Sequence, residues 1–269
     1  MFNEVVIIRG GGDLASGTIQ KLYRSGFRVL VLEVPKPTAI RRDVSFSEAV
    51  YQGEVEIEGI TAVHVCCLSE IEKAWSNKKI PVIIDQEGKY IKKIKPRIVV
   101  DAIIAKKNMG TIRDMAEITI ALGPGFIAGE DVDIVIETAR GHNLGRLIFH
   151  GGASKNTGIP GSIMGYSKER VIHSPCVGIM ENVLHIGDVV EKDDVIAYIG
   201  DVEVKAKISG LLRGILHSGS PVVAGFKIAD IDPRLSEKMN CYTISDKARS
   251  IAGGVLEAIF YLINQSKED

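Results

Sequence analysis

Apolar and polar positions follow two different rhythms along the chain. In the first half they form short unbroken apolar blocks. Val5-Val6-Ile7-Ile8 is one and Val29-Leu30-Val31-Leu32 the next, and such blocks read as strands buried on both faces. Between them Ala15, Thr18, Ile19 and Leu22 recur at i, i+3, i+4 and i+7, the stripe of a helix, which Gly26 stops. Strand, Gly-rich turn, helix and strand make a parallel β-α-β unit with a right-handed crossover. Apolar blocks at residues 82–84, 98–100, 118–121 and 134–136 extend the sheet. Residues 54–60 alternate weakly, as a hairpin arm does, and 68–78 reads as a helix. The pattern predicts an α/β fold: a Rossmann-like parallel sheet domain over 1–140.

The second rhythm is glycine-punctuated. Seven of the 28 glycines fall between Arg140 and Gly165, so 141–167 reads as a connecting or site segment. An internal repeat follows, in which an offset of 32 residues sets Gly178 on Gly210, His185 on His217, Gly187 on Gly219, Val190 on Val222 and Ile199 on Ile231. Each copy reads as short strands between Gly turns. Neither copy closes a core alone, so the two are expected to interlock as a small all-β module over 168–235. In 236–269, Ala248, Ile251, Ala252, Val255, Leu256 and Ile259 form a wide apolar stripe behind a cap at Ser245 or Asp246. That helix is expected to pack back on the first sheet.

Composition removes several classes. The formal net charge of −1 and 45% apolar content argue against a nucleic-acid partner and for a buried core. No apolar run is long enough to span a bilayer, and the start reads as a first strand rather than a signal peptide. Cys66 and Cys67 are adjacent while Cys176 and Cys241 stand apart. This is no disulfide framework, and a reducing, cytoplasmic setting is expected. Oligomeric state is left open, a homo-oligomer included.

Gly10-Gly11-Gly12-Asp13-Leu14-Ala15 fits G-x-G-x-x-G/A in the required strand–turn–helix context. A nucleotide or dinucleotide diphosphate there would meet Gly10, Gly11, Gly12, Asp13, Ala15, Ser16 and Gly17 at a helix N-terminus. Glu33 stands about 20 residues on, where an acid accepts from a ribose. Arg41 and Arg42 follow it as cations for the ribose 2′ side. A second candidate stretch carries Arg140, His142, Arg146, Lys155, Asn156 and Thr157 among exposed backbone N–H groups, a composition suited to an oxyanion. Arg140, His142, Arg146 and Lys155 are expected to share one anion-binding face opening toward the first turn. His142, Asp101 and Lys106 are the acid/base candidates, the last two by their position beyond strand ends. The matched pair His185 and His217 is not read as a metal site.

Several segments together resemble one family: residues 9–17, then Phe46-Ser47-Glu48-Ala49-Val50-Tyr51, Gly123-Pro124-Gly125-Phe126, Arg140-Gly141-His142 and residues 156–161. They look like the YqeB-type accessory proteins of the selenium-dependent molybdenum hydroxylase system. The resemblance implies a bacterial, cytoplasmic factor whose partner is a molybdenum hydroxylase or its maturation machinery. It carries no catalytic residues over. The repeat also resembles biotinyl/lipoyl-type barrel-sandwich modules, but Gly200-Asp201 stands where those carry a modified lysine turn. Lys205 and Lys207 are therefore expected to be bare. The ligand is left as NAD(P) or a molybdopterin-nucleotide. A maturation factor is favoured over an NAD(P)-dependent oxidoreductase, for which no Tyr-x-x-x-Lys pair is present, and over a docking scaffold.

Overall fold

The computed structural model describes residues 4–156, 158 and 160–265. The chain divides into two compact units. The first comprises Met1–Pro37, Ser45–Asn156 and Ile244–Asp269; the second comprises Thr38–Val44 and Thr157–Thr243.

The first unit is built on nine strands: β1 (Val5–Arg9), β2 (Arg28–Glu33), β3 (Glu54–Ile57), β4 (Ile60–Val65), β5 (Ile80–Ile84), β6 (Ile98–Asp101), β7 (Ile118–Leu122), β8 (Ile134–Ile136) and β9 (Leu147–Ile148). They lie in the order β3-β4-β5-β2-β1-β6-β7-β8-β9. The inner seven are parallel. Both edge strands are antiparallel to their neighbours; the weak alternation of residues 54–60 points to the first as a hairpin arm, and no pattern marks the second. The helices are α1 (Asp13–Arg24), α2 (Ala49–Gln52), α3 (Leu68–Ser76), α4 (Lys89–Ile94) and α5 (Asp246–Gln265).

Alternate residues of one strand serve opposite faces. Val6 and Ile8 of β1 join Ile19 and Leu22 of α1 and Ile251, Val255 and Ile259 of α5, while Ile7 joins Ile71 of α3 and Ile91 of α4. Each such fully buried side chain contributes about 1.5–3 kcal/mol. The stripe on α5 thus packs back on the first sheet, as its periodicity predicted. Ser245 caps the helix, its Oγ accepting from the Ala248 N–H at 3.2 Å. Helices α1 and α5 approach closely because Gly17 carries no Cβ; one built there would sit 2.5 Å from the Ala248 carbonyl oxygen. Gly17 faces Ala248 and Lys21 faces Gly253, so the two helices run the same way and start at the same edge of the sheet.

The second unit contains β10 (Val171–His173), β11 (Gly178–Asn182), β12 (Val189–Val190), β13 (Val195–Ile199), β14 (Val202–Lys205), β15 (Gly210–Ile215), β16 (Pro221–Val222) and β17 (Lys227–Asp232). Two four-stranded antiparallel sheets form, ordered β10-β17-β15-β12 and β14-β13-β11-β16. The 32-residue offset maps β11, β12 and β13 onto β15, β16 and β17. Each copy therefore lends its short strand to the other copy's sheet, which is the interlocking the repeat called for. One shared core results, with Met180, Ile196, Leu212 and Ile228 fully buried.

The units are drawn differently from the sequence boundaries. Residues 141–156 stay with the first unit, because Gly145 packs on the Ser250 backbone of α5, 2.7 Å from a Cβ built there. Residues 38–44 belong to the second unit. The Ile215 N–H donates to the Ile40 carbonyl at 2.8 Å, and Gly214 leaves room for that strand-like contact.

Candidate functional site

Every parallel strand of the first unit ends at one edge, and the strand order reverses between β1 and β6. Open α/β sheets bind ligands at such a switch point. A groove of about 370 Å³ opens there, lined by Arg9, Gly10, Glu33, Asp85, Ile103 and Met109, among others. A larger hollow of about 530 Å³ lies at the opposite edge, where Arg97 bonds both oxygens of Glu117 at 2.8 and 3.0 Å.

Arg9 is the floor of the groove, and the sequence reading missed it. It ends an apolar strand, a position where a charge is retained only if it is paired. Its guanidinium donates to the Thr111 hydroxyl and to the carbonyls of Met109 (3.2 Å) and Gln86 (3.4 Å). Asp101 lies 3.7 Å away with both side chains buried. The Thr111 hydroxyl donates to Asp101 Oδ2 at 2.5 Å, and the Ile103 N–H donates to Oδ1 at 3.1 Å. Burial raises the Asp101 pKa, against the hydrogen bonds and the Arg9 charge that lower it. Asp101 is thus a buried positioning group and not an accessible general base, which corrects its candidacy. Asp85 is likewise occupied, accepting from the Lys89 and Tyr90 N–H groups at the start of α4.

The Gly-rich turn leads from β1 into α1. Gly10 takes a positive φ of 91°, which glycine adopts freely, and a Cβ there would meet the backbone of Ala102 and Ile103. Gly11 packs on Ser47, whose N–H donates to the Gly11 carbonyl at 2.9 Å. This is the role of the Phe46–Tyr51 motif: it buttresses the turn. Gly12 is different, because nothing lies within 4 Å of a Cβ built on it. The Glu33 carboxylate reaches this turn, accepting from the Gly11 N–H at 2.8 Å and from its own neighbour Val34 at 2.8 Å. Burial raises its pKa, partly offset by those two N–H groups.

Beside the turn a second set of charges gathers where α1 and α5 begin. Lys247 is half-buried. Burial and then the Arg140 guanidinium push its ammonium below the ordinary range, while Asp13, Glu137 and Asp246 pull it up. Glu137 accepts from the Ala139 and Ser154 N–H groups at 2.7 and 2.8 Å. Burial pushes its pKa up, but these bonds outweigh it and hold the carboxylate below its usual range. Arg140 makes a two-pronged pair with Asp246 at 3.0 and 3.2 Å. Arg140 and Asp13 therefore share the neighbourhood of Lys247. Lys247 sits in the first turn of α5; of the charges around it, Asp13, Glu137 and Arg140 lie more than 100 positions away in sequence.

The Arg140–Asp246 pair holds the Asp246 pKa at about 2. A depressed carboxylate contributes stability above its unfolded value near 4 and loses it as pH falls toward about 2. Both side chains are more than half exposed, so the contribution is under about 1 kcal/mol. Arg140→Ala is accordingly expected to leave the melting temperature at pH 7 almost unchanged; a large drop would make Arg140 a structural residue.

Other candidates are placed elsewhere. Ala15 and Gly17 are spent on helix packing. The Ser16 hydroxyl donates to the Gly12 carbonyl at 3.1 Å and accepts from the Phe46 N–H. Arg41 and Arg42 belong to the second unit, where Arg41 donates to the Asn240 and Thr243 carbonyls and Arg42 to the Ile215 carbonyl. Lys106 is exposed, and so are His142, Arg146, Lys155 and Asn156. Thr157 lies outside the described residues. Among the described residues no group of three or more His, Cys, Asp or Glu side chains suits a metal ion, and no helix is long and apolar enough to cross a membrane.

Comparison with known proteins places these features. No family model matches the chain. It is 51% identical over 263 residues to the uncharacterized protein YqeB of Escherichia coli (strain K12), a match covering 98% of this chain and 48% of that protein. The chain resembles YqeB throughout. It spans about half the length of that relative, and the whole-chain likeness supports the YqeB-type resemblance carried by the motifs. Among solved structures, the ectoine utilization protein EutE (DoeB) of Ruegeria pomeroyi is 12% identical, with 85% of each chain covered and a TM-score of 0.26. An aspartoacylase family protein of Mesorhizobium loti is 12% identical, with 86% of each covered and a TM-score of 0.28.

Proposed function

We propose that the first unit binds a nucleotide-containing cofactor and that the protein acts as an accessory factor in maturing a molybdenum hydroxylase. The observation that carries the binding reading is the Glu33 carboxylate standing over the Gly-rich turn at the β1/β6 switch point. A ribose would take its place against Glu33. The phosphates would lie over Gly12, whose outer side is open, at the N-terminus of α1. The far end of the ligand would extend toward Lys247 and Arg140. Lys247 is an amine poised beside that end, whereas Asp101 is walled in. The hydroxylase link rests on the YqeB-type resemblance, and the second unit, whose repeat resembles a barrel-sandwich module and whose Lys205 and Lys207 are expected to be unmodified, would serve as the docking part.

The arrangement discriminates among nucleotides. A carboxylate at the ribose accepts from a free 2′-hydroxyl and repels a 2′-phosphate. Arg41 and Arg42, the cations that would accommodate such a phosphate, are engaged within the second unit. Calorimetric titration with NAD, NADP, ATP and a cytidine nucleotide is expected to show NADP at least about tenfold weaker than NAD. Failure of all four to bind at sub-millimolar concentration would overturn the nucleotide reading.

A further inference from the structure

The groove at the β1/β6 switch point is lined unevenly. Leu32 and Val34 come from the end of β2, and Ile103 and Met109 from the loop after β6, which flank β1 on opposite sides. Ile103 and Met109 keep 38% and 43% of their surface exposed, so the groove has an uncovered apolar wall. Its polar lining is poor in available donors. The Gly10 N–H donates to the Leu32 carbonyl at 2.8 Å and the Asp85 N–H to the Glu33 carbonyl at 2.9 Å. The N–H groups of Val34, Ile103 and Gly110 donate to the side chains of Glu33, Asp101 and Asn108 at 2.8, 3.1 and 2.8 Å. The Arg9 guanidinium is turned to Thr111, Met109 and Gln86. Acceptors remain open. An ionised carboxylate has about four lone-pair sites, and Asp85 accepts one N–H on each oxygen. Glu87 adds a carboxylate at the rim, 73% exposed and 2.9 Å from Lys89.

We propose that this groove selects a heterocycle bearing an exocyclic amino group, as adenine and cytosine do, over one bearing an oxo group at the same position. This deepens the nucleotide reading and rests on it: a ribose against Glu33 would send its base into the groove while the phosphates stay over Gly12. Charge decides which end enters. Arg9 is paired with Asp101, and the other charged lining residues are Glu33, Asp85 and Glu87, so the groove repels a phosphate. Hydrogen bonding decides which base. An amino group brings N–H donors to open carboxylate lone pairs. An oxo group sets its own lone pairs against them and leaves both sides unsatisfied. Sites of this kind reject an analogue without the donor more strongly than an apolar slot rejects a change of shape. The volume of about 370 Å³ lies within the range of small-molecule sites, roughly 300–1,000 Å³.

The test is calorimetric titration of the full chain with ATP, ITP, CTP and UTP. Within each pair the nucleotides differ in the exocyclic group and the ring proton beside it. ATP is expected to bind at least about tenfold more tightly than ITP, and CTP than UTP. Two variants trace the preference to the carboxylates. In Asp85→Asn the amide oxygen keeps one of the α4 N–H contacts, and the new NH2 group gives the groove a donor. Glu87→Lys places a cation at the exposed rim without touching those contacts. Both are expected to bring the ATP/ITP ratio down toward one, with a melting temperature close to the parent's. Equal binding within both pairs, or tighter binding of ITP and UTP, would overturn the selection while the nucleotide reading stands. A preference that survives unchanged in both variants would overturn it too. Absence of binding by all four would overturn the selection and the nucleotide reading together.

Discussion

Asp101→Ala is expected to destabilise the first unit by about 3–5 kcal/mol, because it leaves the buried Arg9 guanidinium without its counter-charge. The Arg9 and Asp101 side chains are only 4% and 2% exposed, so water cannot stand in for the lost carboxylate. Thr111 would lose its acceptor as well. Asp101→Asn keeps an acceptor for Thr111 and should cost less, while still leaving Arg9 uncompensated. Trp75 is the single tryptophan and bonds the Val29 carbonyl at 2.8 Å within the first unit. Its fluorescence during urea unfolding therefore reports on the unit concerned. A shift in midpoint worth less than 1 kcal/mol would mean that the pair is dispensable.

The same variant carries a pH signature. The folded-state pKa values of Asp101 and Glu33 are both raised by burial. A raised carboxylate contributes stability that is complete below its unfolded value near 4 and is lost as pH rises through the folded value. The parent should therefore lose stability from these two groups across that window. Asp101→Asn should show a shallower dependence, since only Glu33 still titrates.

What was legible in the sequence was what depends on near neighbours. The β1–turn–α1–β2 unit was readable because its strands are unbroken apolar blocks and its helix stripe is regular. The repeat was readable because strand and turn positions recur together, and an interlocking of the two copies followed from each copy's inability to close a core; the exchange of short strands between sheets is seen only in the structure. Distant convergence was not legible. Nothing local marks Thr111 as the partner of Arg9, or Lys247 as the neighbour of Asp13. Nor does anything local mark Arg41 as the partner of the Asn240 carbonyl, 199 residues away. The Gly-rich stretch after Arg140 was read as one segment, but Gly145 is fixed by α5 and only the part to Asn156 remains in the first unit.

Two glycines five positions apart, Gly12 at the turn and Gly17 within α1, are expected to respond in opposite ways. Gly17→Val should unfold the first unit. A Cβ at Gly17 meets the Ala248 backbone at 2.5 and 2.6 Å, and backbone in the middle of a helix pair cannot give way as a flexible side chain does. Overpacking of this kind typically costs about 1–3 kcal/mol, and valine adds a second branch where even the first atom collides. Gly12→Val should leave the fold intact. Its φ of −66° and ψ of 179° are open to any residue, and no atom lies within 4 Å of the new Cβ. The branched side chain would instead fill the space over the N-terminus of α1, where a diphosphate has to approach the backbone. Thermal unfolding and nucleotide titration of both variants separate the cases: Gly12→Val is expected to melt like the parent and to lose binding by at least about tenfold, some 1.4 kcal/mol. A Gly12→Val chain that binds as the parent does would show that the open face of the turn is not where the phosphates sit. A Gly17→Val chain as stable as the parent would show that α1 and α5 have room to separate.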